Sequence, residues 1–221
     1  MANPSEEWLV NRIIDLIASG RIVLASDEIK NNIKGTFKRN KVLSLPTAEI
    51  LTFFLREVTK GDREKAKSII SSTKAKKQLP QAQIARLLQL VSQPIIIISN
   101  LSGKRQFTLS EVVKLRVLIS GIDVHRTEYR YIWNFFEGIY DENSTLIGST
   151  DQKAPQNNDF TENIRLGLNI YGQFSIKFEL LYKKPEAIIG SIPSFNFLVI
   201  EIVQPGAQQQ SKLKAQRKRK E

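Results

Sequence analysis

Residues 92–99 read Ser92-Gln93-Pro94-Ile95-Ile96-Ile97-Ile98-Ser99, and here the apolar pattern of the chain changes its period. Before this point apolar side chains recur every three to four residues, the spacing of a helix face. Beyond it they alternate, the spacing of a strand. Ile95 to Ser99 is itself a candidate for a buried strand. The chain therefore divides into a helical first part and a β second part.

Working upstream, five helices are predicted. Ser5 can cap the first, whose opening turn holds Glu6 and Glu7, favourable against the helix dipole. Leu9, Ile13, Leu16 and Ile17 follow on one face and Gly20 ends the run. Ser26-Asp27-Glu28 offers a second start, with Ile29 and Ile33 inward and Gly35 as a breaker. Pro46-Thr47 opens the clearest helix: Ile50, Leu51, Phe54, Leu55 and Val58 form one stripe, closed by Gly61. Asp62 begins a fourth, with Ala66, Ile69 and Ile70 inward, and Pro80 precedes a fifth bearing Ile84, Leu87, Leu88 and Val91. A small helical bundle over residues 1–93 is expected.

Working downstream, Val113, Leu115, Val117 and Ile119 alternate with Lys114, Arg116 and Leu118, and Tyr129, Tyr131, Trp133 and Phe135 alternate with Arg130, Ile132 and Asn134, where Trp133 is the expected core pin. Further faces are Ile164, Leu166, Leu168 and Ile170; Phe174, Ile176, Phe178, Leu180 and Tyr182; and Phe195, Phe197, Val199 and Val203. Short strands near Phe107–Leu109 and Thr145–Gly148 bring the total to about eight. Asp151 to Asn163 is polar and reads as an exposed loop. Gly172 sits where a tight connection between long strands calls for a positive φ. The expected fold class is α+β in two domains: a helical bundle (1–93), an antiparallel Ig-like β-sandwich (94–205), and a disordered basic tail (206–221).

The 221 residues carry 33 Lys and Arg against 22 Asp and Glu, a net charge of +11, with one His and no Cys. Without Cys there are no disulfides, thiolate nucleophiles or cysteine zinc sites, and a single His excludes multi-histidine metal sites. The charge is unevenly placed. Residues 1–94 hold 16 basic and 9 acidic side chains, residues 95–206 hold 11 and 12, and residues 207–221 hold 6 and 1. Positive charge collected at the two ends points to a polyanionic partner. Glu6 and Glu7 stand where a signal peptide would be positive, and no apolar run approaches the ~20 residues that span a bilayer. The expectation is a protein without a transmembrane segment that is intracellular (cytoplasmic or nucleoid/nuclear), carried in a virion, or released without a secretion signal.

The second part resembles Ig-like sandwiches of the polycystic-kidney-disease type. The likeness rests on a strand ending in Gly (Val113 to Gly121), a Tyr-x-Trp strand (Tyr131-Ile132-Trp133-Asn134-Phe135) and a later Gly-led alternating strand (Gly172 to Phe178). It covers about residues 95–204 and departs at Glu137-Gly138-Ile139-Tyr140, where that family often has Gly-Asp-Gly. The resemblance implies a rigid module for binding or spacing. A shorter stretch, Lys30, Lys34, Lys38-Arg39, Leu45-Pro46 and the helix from Thr47, is similar to the helical RNA-binding region of the elongator catalytic subunit. The radical-enzyme core of that family needs cysteines, which this chain lacks.

Three basic clusters are the candidate nucleic-acid-binding residues. The first is Lys30, Lys34, Lys38, Arg39 and Lys41, free of acids and interleaved with Phe37 and Asn40. The second is Lys74, Lys76 and Lys77, expected at the end of the fourth helix. The third is the tail, Lys212, Lys214, Arg217, Lys218, Arg219 and Lys220. Flexible cations at this spacing suit phosphates. Each cluster also has a plain reading as a solvated face, and the tail alternatively as a solubility tail, a lipid-surface contact or an import signal. No recognition-helix or ribonucleoprotein motif is present, so groove or base readout is not expected. His125, between two strands with Asp123 and Glu128 nearby, reads as a loop histidine. With no catalytic motif, the sequence predicts a non-enzymatic protein without cofactor or metal that associates with RNA or DNA regardless of sequence. The sandwich would attach to a protein partner or to itself. The alternatives are a structural assembly subunit, of a virion or an appendage, and a peripheral membrane adaptor.

Overall fold

The computed structural model describes residues 5–33, 42–109, 111–125, 129–141, 143–165, 171–184 and 187–204. Among the described residues the class is α+β: six helices followed by a mostly antiparallel multi-strand sheet region. Among the described residues no helix is long and apolar enough to cross a membrane. The chain forms two compact units, one of Met1–Ile97 with Leu118–Asp123 and Ser194–Asn196, the other of Ile98–Val117, Val124–Pro193 and Phe197–Glu221.

In the first unit the helices are α1 (Glu6–Ala18), α2 (Ile22–Asn32), α3 (Leu45–Thr59), α4 (Arg63–Ser71), α5 (Thr73–Gln78) and α6 (Gln81–Ser92). Local chemistry sets their starts. Ser5 Oγ accepts the Trp8 amide at 3.1 Å, and Asp62 Oδ1 accepts the Lys65 amide at 3.0 Å. The predicted stripe of α3 is buried throughout, and it packs with Leu9, Ile13 and Ile17 of α1 and Ile84, Leu87 and Val91 of α6 in one core.

Two expectations are corrected. The second helix starts at Ile22, so Ser26, Asp27 and Glu28 lie within it. Glu28 there pairs with Arg12 at 2.8 Å and its side chain accepts from Asn32, which occupies it without any capping role. The fourth helix is two helices. Ser72 adopts an extended conformation (φ −64°, ψ 153°), and its Oγ accepts the Ala75 amide at 3.2 Å, starting α5 afresh.

Gly20 closes α1 with φ +74°, and a Cβ there would lie 2.5 Å from the Phe195 carbonyl oxygen. The left-handed conformation costs a non-glycine residue about 1–2 kcal/mol, and the clash is with backbone, which cannot rotate away. Gly20→Ala is expected to lower stability by about 2 kcal/mol or more in denaturant unfolding followed by helical circular dichroism. A loss under about 0.5 kcal/mol would contradict this close approach.

The strands are β1 (Ile95–Asn100), β2 (Gln106–Phe107), β3 (Val112–Ser120), β4 (Tyr129–Glu137), β5 (Leu146–Ser149), β6 (Asp159–Arg165), β7 (Gly172–Lys184), β8 (Ala187–Pro193) and β9 (Leu198–Ile202). One sheet has the order β1-β3-β6. The other runs β2-β9-β7-β4-β5, with β8 also on β7. β8 and β9 take successive stretches of β7, Glu179–Lys184 and Gly172–Ile176. β2 pairs with β9 in parallel.

Alternation holds where it was clearest. Val113, Leu115 and Val117 of β3 and Tyr131, Trp133 and Phe135 of β4 are buried. Three strands differ from expectation. Residues 159–163, expected in a loop, join Ile164, expected on a strand, in β6, because the inward positions of that strand are Phe160, Glu162 and Ile164. Phe160 packs on Tyr131 (centroids 5.1 Å apart), and Glu162 accepts the Trp133 indole N–H at 2.7 Å. The continuation at Leu166, Leu168 and Ile170 lies outside the described residues. β8 was not anticipated. In β9 the buried residues are Ile200 and Ile202, and Val199 is exposed, because pairing sets Ile200 opposite the inward Phe174.

Candidate nucleic-acid interface

Of the first predicted cluster, only Lys30 is described. It occupies the last turn of α2, exposed and without an ion pair among the described residues. Lys34, Lys38, Arg39 and Lys41 lie outside the described residues, as does the tail with Lys212, Lys214, Arg217, Lys218, Arg219 and Lys220.

Lys74, Lys76 and Lys77 sit on α5 rather than at the end of the fourth helix. Lys74 is matched by Glu49 of α3 at 2.7 Å, while Lys76 and Lys77 in the last turn have no ion pair among the described residues. α5 packs on α3, α4 and α6, and α2 packs on α1 and α3, so Lys30 and the α5 lysines hang on different helix pairs. Several other cations of the helical unit are held by acids: Arg12 by Glu28, Lys67 by Glu64 and Arg86 by Asp15. In the β unit Lys104 meets Glu111, Arg116 meets Asp159 through two bonds, and Lys153 meets Glu162. His125 is an exposed turn residue, and among the described residues no three His, Asp or Glu side chains gather as a metal site.

A grouping that the sequence reading passed over lies at the junction of α3 and α4. Glu57 is 1 % exposed, yet it carries a carboxylate. Arg56 Nε donates to its Oε1 at 2.7 Å, Lys60 Nζ approaches the same oxygen at 3.4 Å, and Lys65 Nζ lies 3.8 Å from Oε2. The Arg56 hydrogen bond, with the two lysines adding, holds this carboxyl below the ordinary glutamate range against the opposing effect of burial. One hidden anion thus gathers three cations that remain 53, 57 and 60 % exposed. The Arg56 guanidinium also lies over the Phe53 ring, 5.0 Å from its centroid.

Among the described residues the other nearby acids are engaged elsewhere. Asp62 caps α4 through the Lys65 amide, and Glu64 pairs with Lys67. The sequence signal was an acid at position 57, three residues after Phe54 and so on the apolar stripe, where a carboxylate has to find cations.

Comparison with protein-family models and with curated proteins yields no match.

Proposed function

We propose that this chain is a non-enzymatic nucleic-acid-associated protein whose helical unit and tail meet phosphates without reading bases, while its β region attaches to a protein or to a second copy. The observation that carries the reading is the segregation of charge: residues 1–94 and 207–221 account for the net charge, and the β region is close to neutral. Exposed Lys30, Lys76 and Lys77, with the three cations about Glu57, give this charge a surface on the helices.

The finer architecture proposed for the β region is an Ig-like sandwich. Taken in chain order as A (β1 and β2), B (β3), C (β4), C′ (β5), E (β6), F (β7) and G (β8 and β9), the two sheets become A-B-E and A-G-F-C-C′, which supports that reading. Trp133 then falls on strand C, where such domains keep a buried Trp.

Affinity for RNA and for DNA oligonucleotides is expected to fall steeply between about 50 and 200 mM salt, and to differ little between base sequences. Millimolar binding at the lower salt, or affinity indifferent to salt, sinks the proposal.

One feature favours assembly as a second reading. Phe136 of β4 and, just outside the strands of the larger sheet, Tyr140 and Phe197 form a ring cluster with centroids 4.8 and 5.6 Å apart, and Ile139, Leu146 and Val199 are exposed. Native mass measurement separates the two: a large closed oligomer without nucleic-acid affinity favours the assembly subunit.

A further inference from the structure

From the grouping around Glu57 we infer a site for one nucleotide of a single strand, with the base stacked on the Arg56 guanidinium and the flanking phosphates on Lys60 and Lys65. The inference rests on the nucleic-acid reading above and narrows it to a place and a strandedness.

Arg56 is held on two sides. Its Nε edge is bonded to Glu57, and one face lies on Phe53, which is itself 43 % exposed. Both restraints come from α3, which carries Phe53 and Glu57; Phe53 and Arg56 are spaced i, i+3 along it, and Lys60 is its C-cap. Among the described residues nothing bonds its terminal N–H groups and the side chain is 53 % exposed, so a guanidinium so fixed still has surface for a ligand. A planar cation with an open face is a platform for a nucleobase. Lys60 follows one turn later, and Lys65 comes from the first turn of α4. Both keep most of their surface in water and have donors to spare beyond Glu57.

Glu57 makes the group more than a chance run of lysines. A carboxylate closed off from solvent can compensate only part of three charges, and it fixes where they stand while leaving an excess facing outward. The ligand that fits combines negative charge with a flat aromatic group, as a nucleotide within a strand does. Because the base has to leave its stack to lie on Arg56, a single strand is preferred over a duplex.

The test is fluorescence anisotropy of the full chain with single-stranded and duplex oligonucleotides of about 12 nucleotides, in a series of salt concentrations. Arg56→Lys keeps the charge and the bond to Glu57 but removes the planar face. It is expected to weaken single-strand binding by about 5- to 100-fold with the salt slope retained, and to leave duplex binding unchanged. Lys60→Ala with Lys65→Ala is expected to lower the single-strand salt slope by about 1.4, two phosphates' worth. Thermal melting of each variant confirms that it is folded. If folded variants bind single strands as the unaltered chain does, or if Arg56→Lys weakens duplex binding equally, the site is overturned and the broader reading stands. If the unaltered chain binds neither polymer at low salt, the broader reading itself has failed.

Discussion

Trp133→Ala is expected to destabilise the β unit by about 3–5 kcal/mol, a large share of the margin of any domain. The indole is 0 % exposed and meets the Phe178 ring edge-on at 5.1 Å. Phe178 stacks in turn on Tyr131, so the missing ring would leave a gap between β4 and β7 where those strands are paired. A polar loss comes with it. Glu162 of β6 accepts the indole N–H on one oxygen and Lys153 on the other, and its charge together with burial pushes the Tyr131 hydroxyl pKa upward, with burial the larger cause. Trp133→Phe separates the two contributions. It keeps most of the packing but removes the donor to a largely buried carboxylate, for which about 1.5–3 kcal/mol is expected. Denaturant dependence of amide exchange in β4 and β7 reads both variants. If alanine costs less than about 1 kcal/mol, Trp133 is not the pin of this core.

Such a residue was legible in the sequence because large aromatic rings recur at every second position: Tyr131, Trp133 and Phe135 point one way, and Ile132 and Asn134 fall between them. The helical stripe of α3 was legible for the same kind of reason, five apolar residues at helical spacing between Ser44 and Gly61. The first part of β6, residues 159–163, was not, since one of the three inward positions of that strand is Glu162, and a hidden carboxylate reads as polar loop until its partners from β4 and residue 153 are in view. For β9 the alternation was seen with the wrong parity. Phe195 and Phe197 stand outside the strand, and only the pairing with β7 sets which of Val199 and Ile200 faces inward. At the candidate site the bias was toward runs. Lys30 to Lys41 stood out because no acid interrupts it, while Arg56, Lys60 and Lys65 were masked by Glu57, Asp62 and Glu64. In space it is an intervening acid, Glu57, that draws the three cations together.

Removing residues 207–221 is expected to change nucleic-acid binding more than any single substitution. The segment holds six basic side chains and one acidic one, and its loss lowers the net charge from +11 to +6. If every cation displaces one counterion, the logarithmic salt slope falls by about 5 on duplex DNA and about 4 on single strands. Between about 50 and 200 mM salt, the full chain would then lose roughly a thousandfold more affinity than the truncated one. Charge and order can be told apart within this segment. Recognition by a receptor depends on which residue stands where, whereas phosphate neutralisation depends on how many cations there are and how freely they reach. A tail of the same composition in scrambled order should therefore bind as the native one does. Replacement of Lys212, Lys214, Arg217, Lys218, Arg219 and Lys220 by glutamine should behave as the truncation does. A salt slope that is the same with and without the segment would make the tail a solubilising appendage, and the contact with phosphate would then rest on the helices alone.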